Sequence, residues 1–495
     1  MNDSTTSRPV GRAYLVTLAM LGAFAIHASH AADRCDVAAV LAAAEHAQGG
    51  PIRTLQFSAS GSDFVVGQGW QPRGPWPRFN VERYDRSLDF EASASSLVTM
   101  RSQALDPPRG GARQPLERAE QVTAVAQGSP RAASIRREMA LLMPAGFIDA
   151  AKRSKDVSGA PRGRGCTLTV SMEEGAPITA ELAADGRITK LSSKVADDVL
   201  GDAPTETLFS GRLPVGNWSV PERILQKLGG YPVLDVRIAK AVVDEKVIIP
   251  ADVTPPLFDW MAPPRLPSEP LADGVFVMPG RYSALAVDLG DHIALIESPQ
   301  SEARATEVIA EAHRLIPGKP IKYVVNTHAH FDHAAGLRVA VADGATIVTQ
   351  RRNIPFLRDV LNRPRTLRPD VLTRAPKPIQ FLPVDDQLVL SGGGREIRLY
   401  RLQGMDHVDA MLVAWLPQSR VLVEADAFTP PGKQRFTAPA PLNPYNRQLL
   451  ENIERRGLDV DRLISIHYAA DGRRVGMDEL WLAAGRTTAR PGEKK

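Results

Sequence analysis

The stretch that most constrains this chain is Thr327-His328-Ala329-His330-Phe331-Asp332-His333. From His328 to His333 it sets three imidazoles and one carboxylate within six residues. It follows directly on Ile321-Lys322-Tyr323-Val324-Val325-Asn326, whose β-branched, apolar run predicts a buried strand. The histidines therefore belong to the loop leaving a strand, where a rigid sheet presents its chemistry. His328 and His330 are two residues apart, so an extended loop turns both to one side, while Asp332 and His333 turn toward a second point nearby. One short loop can thus hold two metal ions. The alternative is a histidine-rich surface loop, and composition argues against it. Of ten histidines, His27 and His30 fall in residues 1–31, which read as an export signal, and three of the other eight crowd into this loop.

Further donors lie downstream. His407 precedes the strand Ala410 to Trp415, Asp426 closes the strand Arg420 to Ala425, and His467 follows Leu463 to Ile466. Singly, each could be an ordinary loop residue. Together, each stands at a strand end.

His328-x-His330-x-Asp332-His333 after a strand resembles the metal-binding signature of the metallo-β-lactamase superfamily, and the later donors follow in that superfamily's order. The resemblance covers about residues 271–486 and implies an αββα sandwich, two face-to-face sheets with helices outside and metals at one sheet edge. It also implies that His328, His330 and His407 surround one metal and Asp332, His333 and His467 the other, with Asp426 bridging. The implied cofactors are two Zn²⁺, with iron as the alternative. Imidazoles and carboxylates at open sites suit zinc, and zinc lowers the pKa of its bound water from about 15.7 toward 7. The implied reaction is attack by that hydroxide on an ester, lactone or thioester-like bond of a small molecule, with Asp332 as catalytic residue. An aspartate bridge is the pattern of the thioesterases, lactonases and phosphodiesterases of the superfamily more than of true β-lactamases, so β-lactam hydrolysis is an alternative. A mononuclear iron oxygenase of the persulfide dioxygenase type and an apolar-ligand carrier with structural metals are two others. The sequence departs from the family at Tyr468, where many members have glycine, and at Val408-Asp409 after His407. Tyr468 is a candidate donor to a substrate oxygen or a packing residue.

Residues 1–31 read as an export signal. Arg8 and Arg12 precede the apolar run Ala13 to Ile26, and Ser29 and Ala31 supply small residues at a cleavage site. The alternative is an uncleaved anchor. The expected location is periplasmic or secreted, with no stable membrane span after cleavage. The only cysteines, Cys35 and Cys166, both survive cleavage. In an oxidising compartment they can form one disulfide or stay as two thiols. The net charge of +4 over 495 residues, without a long basic run, gives no indication of nucleic acid despite a pI near 9.0. Oligomeric state is not legible.

Residues 32–250 read as an α+β, largely antiparallel domain. Asp36 to His46 predicts a helix, Met139 to Lys152 a helix interrupted at Pro144. Short strands are predicted at Thr54 to Ala59, Phe79 to Tyr84, Ser87 to Phe90, Cys166 to Val170, Arg187 to Lys190 and Tyr231 to Ile238. The arrangement resembles the curved sheets of periplasmic lipoprotein-carrier-like domains. In the Gly/Pro-rich stretch Gly67 to Phe79, Trp70 and Trp76 either cover an apolar substrate over the metal site or pack onto their own domain. Seven prolines between Pro250 and Pro270 predict a stiff linker over 251–270.

From Leu271 strands and helices alternate. Strands are predicted at Gly274 to Val277, Ala284 to Asp288, His292 to Glu297 and Ala345 to Thr349, and helices at Ala305 to Leu315, Ala334 to Ala342 and Tyr445 to Arg456. The Arg/Pro-rich excursion Gln350 to Lys377 suits a substrate-covering insertion or an ordinary surface segment. Ser391-Gly-Gly-Gly394 reads as a hairpin turn, since no P-loop Lys-Ser/Thr follows. Residues 487–495 read as a mobile tail.

Overall fold

The computed structural model describes residues 35–105, 109–111, 119–253, 266–430, 442–467 and 473–486. The predicted export signal, residues 254–265 of the predicted linker, Tyr468 and the predicted tail 487–495 lie outside them.

Helix Val37–Ala47 starts where the Asp36 carboxylate accepts from the Ala39 N–H, satisfying a donor that the first turn leaves free. An eleven-stranded sheet follows, antiparallel throughout. Within it Thr54–Phe64 pairs with Arg78–Asp89 on one side and with Tyr231–Val243 on the other. The two strands predicted at 79–84 and 87–90 are therefore one. Ala94–Gln103, Ala119–Val125 and Gly201–Ser210 are strands that the pattern did not reveal. Their Ser, Thr, Gln and Glu residues weaken the alternation that marks a half-buried strand. Helices Ala132–Leu142 and Pro144–Arg153 cover one sheet face, with Ile135 and Met139 against Leu55 and Phe57, and Phe147 and Ile148 against Leu168 and Ile178. Pro144 opens the second helix, where its missing N–H costs nothing. A disulfide joins Cys35 to Cys166 and ties the segment before the first helix to strand Gly165–Val170.

The C-terminal domain is built from two sheets. The first runs in order Glu269–Ala272, Val275–Met278, Ala284–Asp288, Ile293–Ile296, Ile321–Val325, Thr346–Gln350, Phe381–Val384. The second runs Gln387–Gly392, Arg395–Arg401, Leu412–Leu416, Val421–Glu424, Arg462–Ser465. Glu269 and Pro270 belong to a strand and not to the linker; this strand ends the sheet, and an edge tolerates proline. Alternate residues serve two cores. Leu285, Val287, Ala294 and Ile296 face the second sheet, while Ala284, Ala286, Ile293 and Leu295 face helices Glu302–Leu315 and Leu337–Asp343. Burial on both faces explains why these strands read as unbroken apolar runs. The result is the expected α/β architecture of two sheets between helical layers.

The two domains share a core. Trp76, Val199, Leu200 and Ala203 of the N-terminal domain join the cluster formed by the helices outside the first sheet. The 350–377 excursion docks here, and its Phe356 stacks on Phe331 of the metal loop at 6.3 Å. The Arg365 guanidinium donates to the carbonyls of Asp197, Asp198 and Val199, and Asp202 accepts from the Thr366 and Leu367 backbone N–H groups. No helix among the described residues is long and apolar enough to cross a membrane.

Candidate metal centre

Strands Ile293–Ile296, Ile321–Val325 and Thr346–Gln350 run parallel, so their C-terminal ends lie together. In the second sheet Val421–Glu424 and Arg462–Ser465 run parallel, and Leu412–Leu416 starts beside their ends because it runs antiparallel. The loops at these ends carry His328, His330, Asp332, His333, His407, Asp426 and His467.

Two groups of donor atoms result, each with its members within 4.8 Å of one another: His328, His330, His407 and Asp426 in one, and Asp332, His333, Asp426 and His467 in the other. Asp426 belongs to both. Its Oδ2 stands 3.1 Å from His407 Nε2 and 3.7 Å from His328 Nε2, and its Oδ1 stands 2.8 Å from His333 Nε2 and 3.0 Å from His467 Nε2. Asp332 Oδ2 lies 3.6 Å from His333 Nε2 and 4.0 Å from His467 Nε2.

Protonation in this site follows from burial and neighbours. Burial, with the imidazoles of His333 and His330, holds His328 well below the ordinary imidazole value. Burial and His407 bring His330 down to about 3. Burial would raise Asp426, but His333, His467 and His407 hold it well below the carboxylate range. Burial would lower His333, but Asp426, Asp332 and Glu297 raise it well above. Neutral His328 and His330 beside an ionised Asp426 are the ligand forms that metal binding needs.

The geometry fits a cation. The Gly69 carbonyl, which can only accept, lies 3.0 Å from His330 Nε2, so a neutral His330 carries its proton there. Its Nδ1 lone pair then points inward, 2.9 Å from His328 Nε2. Asp426 Oδ1 and His333 Nε2 are buried without a properly directed hydrogen bond. Negative charge from Asp332 and Asp426 converges on this point, where a proton on His333 meets it and a divalent ion would do so in its place.

Residues that the sequence did not single out hold these donors. Glu297, fully buried with φ +69°, accepts from the Thr327 N–H (2.8 Å) and sits 3.2 Å from His333 Nδ1. That contact turns His333 Nε2 inward. Asn326 donates to the carbonyls of His328 and His333. Tyr282 donates to Asp332 Oδ2 at 3.0 Å; burial and the Asp332 carboxylate push its phenol up, so it remains a donor. Glu424 accepts from the N–H groups of Ala427 and Phe428, shaping the turn that carries Asp426. Glu297 ends an apolar run immediately before a turn, which is the one signal that could have marked it.

Residues 279–467 match the family model described as the metallo-beta-lactamase superfamily. The C-terminal domain is a metallo-β-lactamase superfamily domain. No curated protein matches the chain significantly. Among solved structures, this superfamily domain is similar to a metallo-beta-lactamase from Pontibacter korlensis, at 16% identity over 44% of this chain and 97% of that one, with a TM-score of 0.34. It is also similar to a metallo beta lactamase from Hirschia baltica (17%, 45% and 99%, TM-score 0.33). A flavodiiron protein from Giardia intestinalis is a further match (17%, 45% and 59%, TM-score 0.32).

Trp76 is 5% exposed, stacked on Tyr231 at 4.7 Å and edge-on to Phe331 at 5.8 Å. Those contacts make it an interdomain anchor. Trp70 is half-buried and donates through its indole N–H to the Met405 carbonyl. Tyr468 lies outside the described residues.

Proposed function

We propose that the protein is an exported, metal-dependent hydrolase acting on an ester, lactone or thioester-like bond of a small molecule. The observation that carries this reading is Asp426, whose two oxygens reach separate groups of donors. A shared carboxylate favours two metals over one, and the imidazole and carboxylate set favours Zn²⁺. His328, His330 and His407 would hold one ion and Asp332, His333 and His467 the other. Bound there, the ions would supply Lewis acidity to the substrate and an acidified water. The chain supplies position. Tyr282 Oη holds one oxygen of Asp332, which directs that carboxylate toward His333 and His467 and toward any water between them. Glu297 and Asn326 fix the loop from behind. The Cys35–Cys166 disulfide supports an oxidising compartment.

The test is turnover by the chain from residue 32 onward against a β-lactam, a lactone, a thioester, a carboxylic ester and a phosphodiester. His330→Ala serves as the blank. We expect turnover of one of the three ester-like classes, lost in His330→Ala and on chelation, with two zinc ions per chain by elemental analysis. Turnover of the β-lactam alone would replace the substrate class. One iron per chain would replace hydrolysis by oxygen chemistry. No turnover with both ions bound would count against a general hydrolase.

A further inference from the structure

The loop between strands Thr54–Phe64 and Arg78–Asp89 leaves the N-terminal domain and lies against the metal loop of the other domain. Three successive residues of one loop meet three successive residues of the other. Gly67, at φ +73°, lies against the Phe331 ring; a Cβ there would stand 2.1 Å from Phe331 Cγ. Gln68 Nε2 donates to Asp332 Oδ1 at 2.8 Å. The Gly69 carbonyl accepts from His330 Nε2 at 3.0 Å.

A second strand of backbone braces the first. The Gly111 N–H donates to the Gln68 carbonyl, and the Gly110 N–H donates to the Asp406 carbonyl, each at 2.8 Å. Tyr445 Oη donates to the Gly110 carbonyl at 2.7 Å. A Cβ on Gly111 would stand 2.0 Å from Gln68 Oε1 and 2.5 Å from His330 Cε1, so the approach needs glycine.

We propose that the N-terminal domain supplies two of the outer hydrogen bonds of the metal centre, with Gln68 as the positioning residue for Asp332 and the Gly69 carbonyl setting the tautomer of His330. The assignment rests on the metal-binding reading above. Both oxygens of Asp332 are engaged, Oδ1 by Gln68 and Oδ2 by Tyr282, which leaves Oδ2 oriented toward His333 and His467. A ligating carboxylate held at its far oxygen loses less freedom on binding an ion, and such outer partners typically set metal affinity by about 10–100-fold. The backbone carbonyl acts on the other group of donors, because only the Nε2–H tautomer of His330 leaves Nδ1 free.

The experiment is a zinc titration of the chain from residue 32 onward against a chromophoric chelator. It compares wild type with Gln68→Met, which keeps the length and loses the donor, and with Gln68→Glu, which sets a second carboxylate against Asp332. The expected result is two zinc ions in wild type. In Gln68→Met one affinity falls about 10–100-fold and the other stays within about threefold. Gln68→Glu loses more at the same site, and the melting temperature of the metal-free chain is unchanged in both. Gly111→Ala, which displaces Gln68 and His330 together, weakens both sites. Unchanged affinities in Gln68→Met and Gln68→Glu would overturn the proposal. So would equal weakening of both sites with a lowered metal-free melting temperature, which would assign Gln68 to domain docking alone. Faster turnover in Gln68→Met with unaltered zinc affinity would also overturn it, making the loop an obstruction. A wild-type chain binding fewer than two ions would instead overturn the dimetal reading, and the assignment with it.

Discussion

At the scale of single residues, the metal loop is held from behind by groups that never face its donors' open side. Glu297 is the clearest case. A fully buried glutamate at φ +69° stores backbone strain of about 1–3 kcal/mol. It persists because its carboxylate serves Thr327 and His333 together. Glu297→Ala leaves the Thr327 N–H and His333 Nδ1 without that partner. We expect a loss of about 1–3 kcal/mol in chemical unfolding of the metal-free chain, and zinc binding weaker by about 10–100-fold. Zinc affinity equal to wild type would remove Glu297 from the metal site. None of this was visible in the residue itself, since a glutamate ending an apolar run is ordinarily a solvated strand end. The donors were legible because three histidines within six residues are rare, whereas their supporters are common residue types scattered along the chain.

At the scale of elements, the Arg/Pro-rich excursion shows how charge fixes a segment that apolar periodicity does not describe. Asp370 caps helix Val371–Arg374 and receives two bonds from the Arg338 guanidinium, while Arg365 stands 3.2 Å away. Burial raises the Asp370 carboxyl, but the bonds from Arg338 and Thr373 outweigh it and hold it at about 2. A depressed carboxylate stabilises the fold above its unfolded value of about 3.9, and the contribution is lost as pH falls through the folded value. Asp370→Asn should therefore cost about 2–3 kcal/mol near pH 7 and roughly half of that near pH 3. Unfolding curves of the two chains at both pH values check this, and a pH-independent difference would sink it. The sequence showed this stretch only as arginines and prolines of uncertain purpose. Its partners, the carbonyls of residues 197–199, are 166 to 168 positions away.

At the scale of the whole molecule, two cross-links join distant chain segments. The disulfide closes a separation of 131 residues within the N-terminal domain. Replacing both cysteines by alanine should cost about 2–4 kcal/mol, read as a lower denaturant midpoint that reductant reproduces in wild type and leaves unchanged in the variant. An equal midpoint with and without reductant would show that the bond adds nothing to stability. The other cross-link is the shared core around Trp76, Leu200 and Phe331, which seats the Gly67–Gly69 loop on the metal loop.

By itself the sequence pointed to the candidate donors, their placement at strand ends and the sandwich that carries them. The strand ends follow from local periodicity, whereas the donor set and the sandwich are what the resemblance of His328-x-His330-x-Asp332-His333 to the superfamily signature implied. Buried strands such as Ala284–Asp288 and Ile293–Ile296 read as unbroken apolar runs, and composition set the histidine cluster after Val325 apart from an ordinary surface loop. Only the tertiary structure decided which oxygen of Asp426 meets which imidazole, that Glu297, Tyr282 and Gln68 orient the donors, and that Trp76 is an anchor between domains. Those outcomes depend on contacts between residues as far apart as Gln68 and Asp332, 264 positions along the chain. Hydrogen bonds of that span leave no trace in local pattern, because each partner is an ordinary polar residue until the fold brings the two within 3 Å.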